Sequence, residues 1–335
     1  MNASLLSPNA ARLLRESLIW DNTFPFGPSC GSQSAHEGTL ERMRAVGYNC
    51  VSLTTASDNE DMPQTMRKIA ADNQFFRENA DRYVRVAGVD DIIRAKQEGK
   101  LAVVYTFQGT LPFDRHIGFV EMYYLLGVRQ ALMAYNQKNN VGDGCHERTD
   151  AGLSRFGVEV VQEMNRVGMI VDCSHTGYRT TMDVFEVAQG PVIFSHSNAR
   201  KLVDNERNIF DDQALACAKT GGVVGLDGVG LFLGGNDPSA QRMFQHLDHF
   251  VQLIGAEHVG FGVDTVSDKT PLLEIIRHNA SKYPAQSGYN VEPEFGGPEL
   301  IPEVTELMLR HHYSDAQVRG ILGENWLRVA RQVWK

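Results

Sequence analysis

The sequence predicts an α/β protein folded as a (β/α)8 TIM barrel. Eight short β-branched or apolar runs are bounded by turn residues, and segments with helical spacing alternate with them. A rival doubly wound sheet would carry a glycine-rich phosphate turn after its first strand, and neither GxGxxG nor GxxxxGK(S/T) occurs in the chain. The strands are expected at Leu18–Trp20, Cys50–Leu53, Leu101–Phe107, Val128–Ala134, Met169–Cys173, Val192–Phe194, Val223–Leu226 and Val259–Val263. The runs LAVVYTF, MIVDC and GVVGL are apolar on both faces, as parallel strands buried between a barrel core and covering helices should be. Helical spacing marks Leu40–Ala45, Met66–Gln97, Val158–Val167, Thr180–Ala188, Asp212–Lys219 and Met243–Leu253, with two more helices, Glu299–His311 and Asp315–Trp334, after the last strand. The stretch Lys269–Gly297, rich in Pro, Asn and Gly, reads as a long loop.

The chain has 335 residues, a net charge of -9 from 32 Lys+Arg against 41 Asp+Glu, and 42% hydrophobic residues. At roughly 100 to 250 residues per domain, one barrel over residues 1–335 accounts for the length, and no linker or repeat divides it. The acidic balance, without a concentrated Lys/Arg face, argues against nucleic acid as a partner. No window approaches the roughly 18-residue apolar run of a membrane helix, and Asn9, Arg12, Arg15 and Glu16 interrupt the N-terminal apolar stretches. Neither a membrane span nor a secretory signal is therefore expected. Five scattered cysteines without a CxxC pair fit a reducing cytoplasm.

In such a barrel the chemistry lies where strands run out at their C-terminal ends. The polar residues at the ends of the eight expected strands, at once or one position after a serine, are Asp21, Thr54, Gln108, Tyr135, His175, His196, Asp227 and Asp264. Two imidazoles at neighbouring strand ends suit a divalent metal such as zinc, and an aspartate nearby can accept and return a proton. Each residue also has a plainer reading: a hydrogen-bonded histidine, an N-cap-like carboxylate at Asp264, a turn residue at Asp227-Gly228. Cys145, His146 and Glu147 form a weaker cluster on one loop. Arg207, followed by Asn208, can clamp a carboxylate with two parallel hydrogen bonds or pair with Glu206. His311 and His312 read as structural or surface residues.

These residues lie in blocks that resemble the membrane (renal-type) dipeptidase family of the amidohydrolase superfamily. The blocks include Gly127-Val128-Arg129, Tyr135-Asn136 through Asn139 to Gly142-Asp143-Gly144-Cys145, and Gly152-Leu153-Ser154. They continue with Ser174-His175, Ser195-His196-Ser197, Arg207-Asn208, Val259-Gly260-Phe261-Gly262 with Asp264, and Gly323-Glu324-Asn325-Trp326. The resemblance covers about Leu18 to Val333. It implies a barrel with a two-zinc site, His175 and His196 as ligands of the more exposed zinc, and Arg207 holding the substrate's C-terminal carboxylate. It further implies that Asp264 contacts the other zinc and shuttles the proton of a metal-assisted peptide hydrolysis, and that a homodimer is the expected assembly.

The sequence also departs from the family pattern. Thr23 and Pro25 stand where a His-x-Asp pair would hold the buried zinc, Gln108 replaces a bridging glutamate, and Tyr135 replaces a histidine that polarises the scissile carbonyl. The expected metal set is therefore His175, His196, Gln108 and Asp264 around one zinc in place of two, with a metal-free pocket as the alternative. Tyr135, Arg207 and Asn208 are expected to meet the substrate, a dipeptide or small N-acyl amino acid. Two competing expectations are a catalytically degenerate homologue that binds a small ligand or partner, and a lyase or isomerase using Tyr135 and His175 as an acid/base pair.

Overall fold

The computed structural model describes residues 6–335; the first five residues of the N-terminal stretch considered above lie outside that range. The strands are β1 (Trp20–Pro25), β2 (Cys50–Ser57), β3 (Tyr83–Arg85), β4 (Leu101–Gln108), β5 (Val128–Leu132), β6 (Ile170–Asp172), β7 (Val192–Ile193), β8 (Val224–Leu226) and β9 (Val259–Phe261). All pair in parallel in the order β7-β6-β5-β4-β2-β1-β9-β8, and a parallel bridge between Phe194 and Val224 joins the two ends of that order. The (β/α)8 barrel is thus the observed architecture. β3 is an addition: it pairs with Leu101–Val103 at the lower half of β4, whose upper half, from Tyr105, pairs with β5.

Side chains alternate across each strand, and the alternation sorts the core. In β4, Val103, Tyr105 and Phe107 join the large cluster under the helices, whereas Ala102 and Val104 pack with Trp20, Cys50, Ile170, Ile193 and Trp326. Trp326 closes the barrel floor, its indole N–H donating to Phe261 O at 3.2 Å. Higher up, the inward series turns polar: Asn22, Ser52, Thr106, Gln130, Asp172 and Ser195 are all buried. The helices follow their sequence signals. The helix Arg155–Val167 opens on Ser154, whose hydroxyl accepts from Gly157 N, and ends at Gly168 with φ 93°.

Four sequence expectations are corrected. β1 starts at Trp20 instead of ending there, so Asp21 and Thr23 belong to the strand; they looked like loop because they are polar, yet they are buried and hydrogen-bonded. β2 continues through Thr54 to Ser57, because the β-branched Thr54 and Thr55 suit a strand. The segment Met66–Gln97 divides into the helices Met62–Glu78 and Val89–Gln97 around β3. The Lys269–Gly297 stretch holds a helix, Lys269–His278, capped by Asp268, which accepts from Thr270 N, and a 3-10 turn at Ala285–Ser287.

Candidate metal centre and substrate pocket

A buried carboxylate sets the positions of the two histidines. Asp172 Oδ1 accepts from the backbone N–H of both Ser174 and Ser195 at 3.0 Å, and its Oδ2 accepts from Gln130 Nε2 at 3.1 Å. Ser174 Oγ then accepts from His196 N, also at 3.0 Å, so the exits of β6 and β7 are tied together. Close packing continues on the far side, where a Cβ on Gly225 or Gly262 would lie 2.0 or 1.9 Å from Ser195 O. His175, Asn136 and Asp264 all take left-handed backbone conformations, with φ of 61°, 62° and 58°. Such strain in non-glycine residues persists where the surrounding structure holds a side chain to one aim.

The two rings point at each other, with Nε2 to Nε2 at 2.8 Å. Asn136 Nδ2 donates to Lys282 O, so its Oδ1 is the acceptor for His175 Nδ1 at 2.6 Å, and the proton of that ring sits on Nδ1. On His196, Nδ1 lies 2.7 Å from Ser195 Oγ and 3.0 Å from Thr23 Oγ1, and Thr23 already donates to Asn22 O. A proton on this Nδ1 has two acceptors available. Both Nε2 lone pairs then converge on one point, the arrangement that outer hydrogen bonds create for metal-binding histidines. Burial, with the Arg207 charge beside them, pushes both imidazoles well below their ordinary range, so they are neutral.

Carboxylates gather next to them. His196, Asp227 and Asp264 each offer a ligand atom within 4.8 Å of the others. Asp264 Oδ1 and Asp21 Oδ2 are buried without a hydrogen-bond partner. Burial raises Asp21 to about 7 and Asp264 to about 6, and holds Asp227 well above the usual carboxylate range. Asp227 accepts from Val229 N in a local turn, as its sequence context suggests, and also pairs with Arg207 at 3.2 Å. Arg207 pairs with the buried Asp227 and its charge also acts on the half-buried Asp264, while the buried Asp21 Oδ2 has no partner, a charge imbalance that a divalent cation would relieve. The donor set of that group fits such an ion: the His196 imidazole nitrogen, the unpartnered Asp264 oxygen and a second carboxylate, Asp227, with His175 Nε2 reaching His196 at 2.8 Å from outside the group.

Other expected residues fall around this centre. Arg207 is 1% exposed in its side chain, yet Nε and Nη1 have no partner, which leaves an edge of the guanidinium for a ligand. Asn208 gives both amide hydrogens to backbone, Val203 O and Phe232 O, so it braces the Arg207 loop and has only Oδ1 unpartnered. Tyr135 stacks on His175 at 4.2 Å, and its hydroxyl lies 3.3 Å from that of Tyr283. Gln108, its Nε2 unpartnered, lines a 520 Å3 cavity together with Tyr135, Asp264 and Pro25. His175, Arg207 and Cys145 line a second cavity of 1040 Å3.

Several contributors escaped sequence reasoning. Asp58 accepts from Tyr135 N and Asn139 Nδ2 through Oδ2 and from Leu111 N through Oδ1, anchoring the exits of β4 and β5. It becomes the first polar residue after its strand once β2 is extended to Ser57. Asp172 was visible as a lone charge inside an apolar run. The segment after β9 covers the mouth: Asn136 Nδ2 holds Lys282 O, Asn205 Nδ2 holds Ser287 O, and Lys282 Nζ donates to Asn59 Oδ1. No local sequence signal announces that placement. Among the described residues no helix is long and apolar enough to cross a membrane.

Fold and site together define a class of solved barrels. The chain superposes on an amidohydrolase of Pseudomonas aeruginosa with a TM-score of 0.86 at 30% identity, covering 97% of this chain and 99% of that one. A metallopeptidase of Rhodobacter sphaeroides, solved with a phosphinate mimic of the dipeptide L-Ala-D-Ala, shares the fold at a TM-score of 0.78 and 18% identity, covering 95% of this chain and 100% of that one. The family model for membrane dipeptidase, peptidase family M19, matches residues 28–285, and the chain belongs to that family. It is also 34% identical over 254 residues to an uncharacterised dipeptidase of Schizosaccharomyces pombe, covering 73% of this chain and 56% of that protein. The chain thus spans little more than half the length of that curated relative.

Proposed function

We propose that the protein is a metal-dependent amide hydrolase acting on a dipeptide or small N-acyl amino acid through one zinc ion. The observation that carries this reading is the group His196, Asp227 and Asp264, whose ligand atoms lie within 4.8 Å of one another, with His175 Nε2 2.8 Å from that of His196. His175, His196 and Asp264 would hold the ion, with Gln108 or Asp227 as a further oxygen donor. A zinc ion there polarises an amide carbonyl and acidifies water. The rest is done by the chain's own groups. Arg207 binds the substrate carboxylate through its free Nε and Nη1. Asp264, held at φ 58°, accepts the proton of the attacking water and returns it to the leaving nitrogen. Tyr135 donates from its hydroxyl to the carbonyl oxygen as negative charge develops there.

Elemental analysis of protein purified without chelator should find close to one zinc per chain, and His196→Ala should remove both metal and turnover. A metal-free, fully active protein would overturn the proposal. Thr23 and Pro25 offer neither an imidazole nor a carboxylate, and this favours a second reading as a small-ligand binding protein. On that reading, metal-supplemented protein binds carboxylates in an Arg207-dependent way while a broad amide screen shows no hydrolysis.

A further inference from the structure

We infer that the half of the substrate remote from the carboxylate is an uncharged apolar acyl chain, so that the substrate class is N-acyl amino acids in preference to free-amine dipeptides. The inference rests on the hydrolase reading above and narrows it. The two cavities share no lining residue; the stack of Tyr135, which lines the smaller, on His175, which lines the larger, stands between them. Arg207 lines the larger cavity, and Asp264 lines the smaller. Between these residues lie Asp227, paired with Arg207, and His196, whose ligand atom lies within 4.8 Å of Asp264. A ligand with its carboxylate on Arg207 and its amide carbon at His196 and Asp264 is fixed at two points. Asp264 then directs its remaining end toward the 520 Å3 chamber that Asp264 lines, whose size suits a small-molecule moiety.

The chamber's lining mixes carbon with polar groups: Phe26, Val266, Leu272, Ile275 and Tyr283 supply apolar surface, together with Asn59, Glu60, Gln64, Arg67 and Lys68, and Pro25 occupies the end of β1 where a polar side chain could have reached a charged group. A free α-ammonium would find poor reception. Of the two carboxylates lining the chamber, Asp264 faces the reacting amide, and Glu60 Oε2 already accepts from Ser57 N and Oγ at 2.8 Å. Arg67 lines the same space and repels a cation, whereas the charge of Lys68 is offset by its pairing with Asp72. In the reaction, the oxygen of water bonds to the acyl carbon, the carbon–nitrogen bond breaks, and the nitrogen leaves with a proton. The products are a carboxylic acid and a free amino acid.

The test is a chain-length series. kcat/KM of zinc-supplemented protein is measured for N-acetyl-, N-butanoyl-, N-hexanoyl- and N-octanoyl-alanine and for alanyl-alanine, with ligand-induced thermal shift as a readout independent of turnover. Affinity should rise roughly fourfold per added methylene until the chamber is full, and octanoyl-alanine should exceed alanyl-alanine by roughly tenfold or more. Ile275→Trp, or Leu272→Trp if the first fails to fold, should bring the octanoyl-to-acetyl ratio close to one. Arg207→Lys should weaken every member alike and leave that ratio intact. Cleavage of alanyl-alanine as efficient as that of octanoyl-alanine overturns the inference and leaves the hydrolase reading standing. Binding that strengthens with chain length without turnover supports the chamber and overturns hydrolysis. No binding at any length overturns both.

Discussion

At the exit of β6, one carboxylate oxygen of Asp172 accepts from two backbone N–H groups that aim the histidine pair. Replacing Asp172 with alanine leaves both donors buried without a partner, which costs roughly 2–5 kcal/mol. Urea denaturation should show the loss, and the variant should bind zinc more weakly than the parent because His175 and His196 lose their common tie. His246 gives a second prediction at this scale. Its Nδ1 accepts from Ala199 N, its Nε2 donates to Leu233 O, and burial lowers its pKa to about 4. The folded value lies below the unfolded one, so the unfolded state binds more protons as the solution is acidified. The stability from this residue is complete above about pH 6.5 and is lost progressively down to about pH 4, on the order of 3 kcal/mol. Unfolding free energies measured at pH 7 and pH 4.5 should show this slope, and His246→Asn should reduce it.

Among the elements, the segment after β9 behaves as a cover stitched to three loops. Glu206 Oε2 accepts from Ser287 Oγ at 2.5 Å and from His146 Nδ1 at 2.8 Å, and Asn205 on the same loop holds Ser287 O. Glu206→Ala should therefore speed amide hydrogen exchange around residues 285–289 and lower global stability by about 1–3 kcal/mol, since it leaves the buried His146 ring without its carboxylate partner. Unchanged exchange there would mean that the segment is held by its apolar contacts alone. Those contacts are few: Leu273, Ile276 and Tyr283 form a small cluster with Tyr135, Leu272, Ile275 and Tyr289. The strands leave no such freedom. A methyl group at Gly262 would collide with Ser195 O, so Gly262→Ala should cost roughly 3 kcal/mol or more and disturb His196 with it.

For the whole molecule, the site is a local concentration of buried negative charge around one guanidinium, and a cation that binds only the folded state must stabilise it. Zinc at a hundredfold excess over its dissociation constant should add about 2.7 kcal/mol. The thermal midpoint should rise accordingly with zinc and fall on chelation, and the response should vanish in His175→Ala and His196→Ala. A midpoint indifferent to zinc would leave the three carboxylates to be neutralised by protons instead. The architecture carrying this site was legible in the chain. Strand-length apolar runs alternating with helical spacing depend on local patterning, and a barrel is the arrangement that buries both faces of so many parallel strands. The two Ser-His pairs and Asp264 stood out because each follows an apolar run, and Arg207 because it lies in a loop eleven residues after His196. What local pattern could not express is contact between distant segments. The tie through Asp172, the shared support of Tyr135 and Asn139 by Asp58, the pairing of Asp227 with Arg207, and the descent of Tyr283 onto Tyr135 all join residues far apart in sequence. The sequence by itself determined the barrel architecture, the residues at most strand exits and the family; only the folded barrel decided where β1 and β2 run, that β3 exists, and which polar groups were buried without partners, because pairing and burial are properties of the closed ring and its cover, not of any one segment.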